Sequence, residues 1–176
     1  MIRNLPPDAL VERDSIIADI HASFGEAVRC DAAISWNECV ARDNYESDEA
    51  CEAARHTDVD VRWSDLIDDA SWFPFPGIGG FAFINAEGFR YYLPPTMIRL
   101  LRGDDSEWYP GHLLQSINRF TEPHFLGLWS EPQLRCVARF VSFMARHDED
   151  ARTEEPNPWS TAFEGTWRGR LGEDRG

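Results

Sequence analysis

The sequence predicts an α+β fold, a single helix-rich domain with a small antiparallel hairpin packed on its helices. Three observations predict it. Several stretches carry helix start signals followed by apolar residues at helical spacing. Residues 81–93 read as two β-prone runs around a Gly-containing turn. Hydrophobic residues at 43% and aromatic residues at 12% of 176 are enough to fill one core, which argues against wholesale disorder. This length favours one core over two, here a globular domain over 1–147 followed by an acidic C-terminal tail over 148–176.

Taken in order, Pro6 and Pro7 suit a helix start, and Ile16, Ile17, Ile20 and Phe24 then recur at helical spacing until Gly25. A helix over 8–24 is expected. Ser35-Trp36-Asn37-Glu38 fits a capping box, in which the Ser oxygen accepts from an orphan amide while the Glu reaches back, and starts a short helix through about Asn44. Ser47-Asp48-Glu49 starts another, with acids in its first turn and Arg55 in its last, matching the helix dipole. From Trp72 to Gly80 the chain is apolar yet rich in Pro and Gly, which marks a loop.

Phe81-Ala82-Phe83-Ile84 and Phe89-Arg90-Tyr91-Tyr92-Leu93 flank Asn85-Ala86-Glu87-Gly88 and predict the hairpin. Two strands alone are marginal in water, so this hairpin must lie on helices. Pro94-Pro95 then stops the second strand and starts a helix at Thr96 to Leu101, ended by Gly103. Residues 112–120 form another turn or two. Ser130-Glu131-Pro132-Gln133 supplies an N-cap, an early Pro and a capping-box Gln, followed by a stripe of Leu134, Val137, Val141 and Met144 that Phe140 widens. That helix, over 131–147, belongs in the core. Beyond it the tail is polar and Pro-bearing, the signature of weak order, although Trp159, Phe163 and Trp167 at spacings of four form an aromatic stripe if helical. Such a stripe docks back, stays loose or anchors a partner.

All 17 basic residues are Arg, against 31 acidic ones, for a net charge of −14. Without Lys there is no Schiff-base lysine and no Walker-type phosphate lysine, and the charge balance gives no attraction to nucleic acid or an anionic membrane. The distribution is uneven: residues 1–70 carry 17 acids and 6 Arg, 71–147 carry 6 and 7, and 148–176 carry 8 and 4. An acidic front is either a solvated face or a surface that steers a basic partner.

Cys30, Cys39, Cys51 and Cys136 include no C-x-x-C pair and no His at a zinc-finger offset, so free thiols are expected. No apolar run after Met1 resembles a signal segment and none approaches the roughly 18 residues that span a bilayer, which leads to an expectation of a reducing cytoplasm. The five histidines, His21, His56, His112, His124 and His147, include no pair at i, i+4. The acidic pairs Asp58/Asp60, Asp68/Asp69 and Asp104/Asp105 fit no EF-hand alternation. The glycines around Gly77 to Gly80 precede a strand rather than opening a helix, which is not the setting of a phosphate loop. No metal and no cofactor is expected. Asp58, Arg62 and Arg90 suggest a brace, a carboxylate accepting a bidentate guanidinium bond that ties the acidic front to the hairpin.

The segment Phe81 to Met97, FAFINAEGFRYYLPPTM, resembles the hallmark of an uncharacterised family of small bacterial proteins, F-x-F-(L/I)-x-x-E-G-F-R-Y-Y-L-P followed by a short helix. The helix ending near Phe24-Gly25, Asp43-Asn44-Tyr45 with Ala54-Arg55 and Asp58, Arg62-Trp63, and Gln133 with Arg139 to Met144 extend the resemblance over about 12–146. Pro95-Thr96, where the family more often shows a small residue and an aromatic, and the Trp72 to Gly80 stretch depart from it. The resemblance implies a fold and supplies no catalytic residues. In size and acidity its members look similar to immunity proteins that neutralise bacterial toxins, by analogy alone.

The function expected is that of a protein-binding module, in its sharpest form an immunity protein that blocks a basic toxin or nuclease. Asp43, Glu46, Asp48, Glu49, Glu52, Asp58 and Asp60 form its steering face, with no nucleic acid or membrane as partner. The alternatives are a small hydrolase or metal-dependent enzyme with its site gathered by the fold, and a structural or regulatory subunit.

Overall fold

The computed structural model describes residues 2, 4–58, 62–72, 80–103, 111–119, 127–149 and 151–171. Among these residues lie seven α-helices, in chain order α1 (Pro7–Phe24), α2 (Trp36–Asp43), α3 (Asp48–Arg55), α4 (Ala86–Arg102), α5 (Gly111–Arg119), α6 (Glu131–His147) and α7 (Pro158–Ala162). The chain divides into two compact units, residues 1–25 with 97–176, and residues 26–96.

Among the described residues there is no strand, only an isolated antiparallel bridge between Val28 and Arg62, so the fold is all-α and the expected hairpin is corrected. The physical reason lies in Asn85. Instead of turning a hairpin it caps a helix: its Oδ1 accepts from the Gly88 amide at 3.0 Å, and its carbonyl accepts from the Phe89 amide at 2.8 Å. A run with an aromatic or apolar side chain at almost every position satisfies a buried helix as well as a strand, and periodicity alone does not separate them. Here Phe89 and every residue from Tyr91 to Ile98 are buried.

Gly88 lies in the first turn of α4 and not in a hairpin turn. A Cβ there would lie 2.6 Å from the Ile34 carbonyl oxygen, so glycine permits the close approach of the 32–34 segment to α4. The Asn85 carboxamide stitches that segment in place, accepting from the Ile34 amide at 2.8 Å and donating to the Ala32 carbonyl at 2.7 Å. Pro94 and Pro95 sit inside α4 rather than at a helix start. Neither has an N–H to give the Arg90 and Tyr91 carbonyls, an interior defect of about 3 kcal/mol. Burial of the surrounding apolar residues offsets it, and the Thr96 hydroxyl, itself buried, donates to the Tyr92 carbonyl at 2.7 Å.

In the unit of residues 1–25 and 97–176, α1 packs on α6. Ile16, Ile20 and Phe24 face the expected stripe of Leu134, Val137, Phe140, Val141 and Met144, and all are buried. The Ser130 capping box forms with both of its bonds. Arg146 holds Glu12 through two bonds of 2.9 and 2.5 Å, and Arg139 pairs with Asp19. Residues 151–171 are docked on the same unit. Trp159 is 0% exposed, edge-on to Phe140 at 5.7 Å, and its Nε1 donates to Asp148 Oδ2 at 3.0 Å. Trp167 Nε1 donates to Asn118 Oδ1 at 3.2 Å. No helix among the described residues is long and apolar enough to cross a membrane.

Candidate functional site

In the unit of residues 26–96, α2 and α3 pack on each other and carry most of the predicted acidic face. A helix start leaves its first amides without intrahelical partners. At α2 every one of them is used. Trp36 N donates to the Tyr92 hydroxyl at 2.9 Å, Asn37 N to Asp58 Oδ2 at 2.8 Å, and Glu38 N to the Ser35 hydroxyl at 3.2 Å. An aromatic cluster stands behind this end, with Tyr92 stacked on Trp72 at 5.9 Å and edge-on to Trp36 at 5.3 Å. Burial first, then the neighbouring Asp58 charge, pushes the Tyr92 hydroxyl well above its ordinary pKa, so it stays a neutral acceptor here.

Glu38 does more than close the capping box. It is 3% exposed, and its carboxylate is met by Arg42 at 2.8 Å and by Arg55 of α3 at 3.4 Å. The hydrogen bond to Glu38 raises the Arg42 pKa further, against some desolvation. Arg55 also donates to the Asp31 and Ala33 carbonyls at 2.8 and 3.0 Å. A buried carboxylate between two guanidiniums is costly to break from one side, since the remaining charges lose compensation. It fixes α3 against α2 and so fixes the spacing of the acids they display.

Helix α2 ends in a Schellman motif: Tyr45 N donates to the Arg42 carbonyl and Glu46 N to the Ala41 carbonyl, each at 3.1 Å. The residue at its left-handed position is usually glycine. Here it is Tyr45, at φ +56°, with 88% of its surface exposed and its ring edge-on to Phe83 at 6.3 Å. The left-handed conformation costs a non-glycine residue about 1 to 2 kcal/mol.

Around this tyrosine lie Asp43, Glu46, Asp48 and Glu49, the last three exposed. Asp48 and Glu49 occupy the first turn of α3, where the dipole favours them. None of the four forms an ion pair with a described residue. Glu52 meets His56 at 3.2 Å, and Asp58 is half-buried at the start of α2. Asp60 lies outside the described residues, as do the 73–79 stretch, Asp104, Asp105 and His124. A cleft of about 270 Å³ opens between Arg29, Asp31, Glu52, Arg55, His56 and Asp58.

The three members of the expected brace have these surroundings. Asp58 accepts the Asn37 amide, Arg62 pairs with Asp65 at 3.8 Å, and Arg90 is exposed on α4 rather than on a hairpin. Among the described residues no ion pair links Asp58, Arg62 and Arg90. Nor do any three His, Cys, Asp or Glu side chains there come within reach of one metal ion. Cys39, Cys51 and Cys136 are buried and Cys30 is exposed, and no disulfide joins any of the four. Sequence reasoning missed Tyr45 and the buried role of Glu38. The Glu38–Arg42 spacing of four was the available signal for the latter. Nothing local marks Tyr45, because a non-glycine residue in a Schellman motif leaves no pattern.

No curated protein and no solved structure gives a significant match to the chain. A family model does match, over residues 12–170, and it takes in the C-terminal segment that the resemblance left outside. The chain therefore belongs to the family of unknown function DUF6714.

Proposed function

We propose that this chain is a protein-binding module whose α2–α3 face steers and holds a basic protein, a toxin or nuclease to be neutralised being the partner that best suits a blocking role. The observation that carries the reading is the set Asp43, Glu46, Asp48 and Glu49, held at the surface by a buried Glu38–Arg55 tie and making no ion pair with a described residue. Surface carboxylates are ordinarily interleaved with cations, and here the unit of residues 26–96 holds 14 acids against 5 arginines. A field of one sign raises the encounter rate with a partner of the opposite sign and sets its orientation. The full α2 start supports the same reading from the other side, since its amides leave no donor free for an anion.

The test is capture of partners on the tagged chain from its own cells at low and high salt. The comparison is a chain carrying Asp43→Asn, Glu46→Gln, Asp48→Asn and Glu49→Gln. These neutral replacements keep size and avoid placing cations at the α3 start. A basic protein retained at low salt, released at high salt and lost with the neutralised chain is the expected result. Absence of any basic protein, or equal retention by both chains, refutes the proposal.

A further inference from the structure

We infer that Tyr45, with Phe83 at its side, is an arginine-docking platform at the centre of the acidic face, so that the partner presents an arginine rather than a lysine there. The inference rests on the proposed function and sharpens it to one side chain. Tyr45 is 88% exposed and Phe83 is 36% exposed, and their T-shaped contact leaves at least one face of the tyrosine ring clear of Phe83. Phe83 follows Ala82, also exposed, in the 3₁₀ turn Gly80–Phe83 that packs on α2.

The tyrosine is not there for the fold. Its ring is exposed, and its backbone holds the one left-handed position of the α2 terminus, where glycine is the less strained residue. A bulky aromatic kept at such a position is explained by what its ring does outside the fold. Exposed tyrosines concentrate binding energy at interfaces when they are flanked by polar groups that exclude water.

Charge complementarity names the occupant. An aromatic face attracts a cation, and the carboxylates of Asp43, Glu46, Asp48 and Glu49 stand on the same turn and the next helix start. A guanidinium is planar, stacks on an aromatic face and still offers N–H donors at its edge to carboxylates. An ammonium is a compact, strongly hydrated point that cannot do both equally well.

The experiment uses the full chain with two probes of equal length and charge, an eight-residue arginine peptide and an eight-residue lysine peptide, by fluorescence anisotropy at low salt. The expected result is that both bind, the arginine peptide about 2 to 5 times more tightly. Tyr45→Gly should remove that preference while leaving the lysine peptide unchanged, and Tyr45→Phe should retain it. Thermal melting of the glycine variant at or above the original Tm shows that the fold is intact. Equal binding of the two peptides by the original chain, or a preference that survives Tyr45→Gly, overturns the platform and leaves the acidic face standing. Binding of neither peptide overturns both readings.

Discussion

Replacing Trp159 by Ala should be among the most destabilising single changes in the chain, because it removes three things at once. The indole is 0% exposed, so its loss forfeits the burial of a large apolar side chain and leaves a cavity, together worth about 3 to 5 kcal/mol. The edge-on pairing with Phe140 at 5.7 Å is lost, and such pairs are worth about 0.5 to 1.5 kcal/mol beyond area. Asp148, 1% exposed, loses the indole N–H that meets its carboxylate at 3.0 Å, a cost to a buried acceptor. These contributions overlap, and a total of about 4 kcal/mol corresponds to a fall in Tm of roughly 8 to 16 °C for a chain of this size. Thermal melting followed by far-ultraviolet circular dichroism reads it, and limited proteolysis beside it should show new cleavage within 151–171. Trp159→Phe separates the parts: it keeps most of the ring and loses only the bond to Asp148, and should cost less than half as much. A fall below about 2 °C for Trp159→Ala would refute the docking of this segment as an integral part of the fold.

Gly88→Ala forces a Cβ to within 2.6 Å of the Ile34 carbonyl, a backbone atom that cannot swing aside, so a loss of about 1 to 3 kcal/mol in urea denaturation is expected; an unchanged midpoint would show that the 32–34 segment does not lie so close. Stability should fall on acidification in two windows. Burial, then the Arg146 charge, lowers the His147 pKa from its usual 6.5, so the unfolded chain binds the proton first and the contribution present above 6.5 is lost as pH falls through the lowered folded value. The Arg146 hydrogen bond lowers the Glu12 pKa from 4.5, so its contribution, present above 4.5, is lost at still lower pH. His147→Gln should flatten only the upper window of a melting profile taken from pH 7.5 to 3, and an unaltered profile would contradict the assignment. Burial pushes the Cys136 thiol up to about 12, and Cys30 alone is exposed, so a thiol reagent at neutral pH should label Cys30 fast and Cys136 only after denaturation.

What the sequence made legible follows a physical line. Helices that begin with a side-chain cap and bury one stripe were readable: Ser35 and Ser130 form the boxes their spacing predicts, and α1 ends at Gly25 with φ +61°. Local chemistry decides those ends. The hairpin failed because residues 81–93 are apolar at most positions and buried at most of them, so that alternation and helical period fit the same letters. Asn85 could have corrected it, since Asn before Ala-Glu is a helix start as readily as a turn. Pro94 and Pro95 argued for a break, and tertiary burial overrode them. The Asp58, Arg62 and Arg90 brace paired residues by charge alone. In the fold the Asn37 amide donates to Asp58, and Arg62 pairs with Asp65 three residues on. The acids of the face were visible as letters, but the tyrosine at their centre becomes notable only through its backbone angle and exposure.

The proposed role of the α2–α3 face is to steer a basic protein. The most direct test is the association rate of the captured partner, measured against ionic strength for the original chain and for the chain neutralised at Asp43, Glu46, Asp48 and Glu49. Steering of this kind contributes between 10- and 1,000-fold to association rates. A rate that drops about 10-fold on neutralisation, with a shallower salt dependence and little change in dissociation, is the predicted result. An association rate and salt slope identical in the two chains would contradict it.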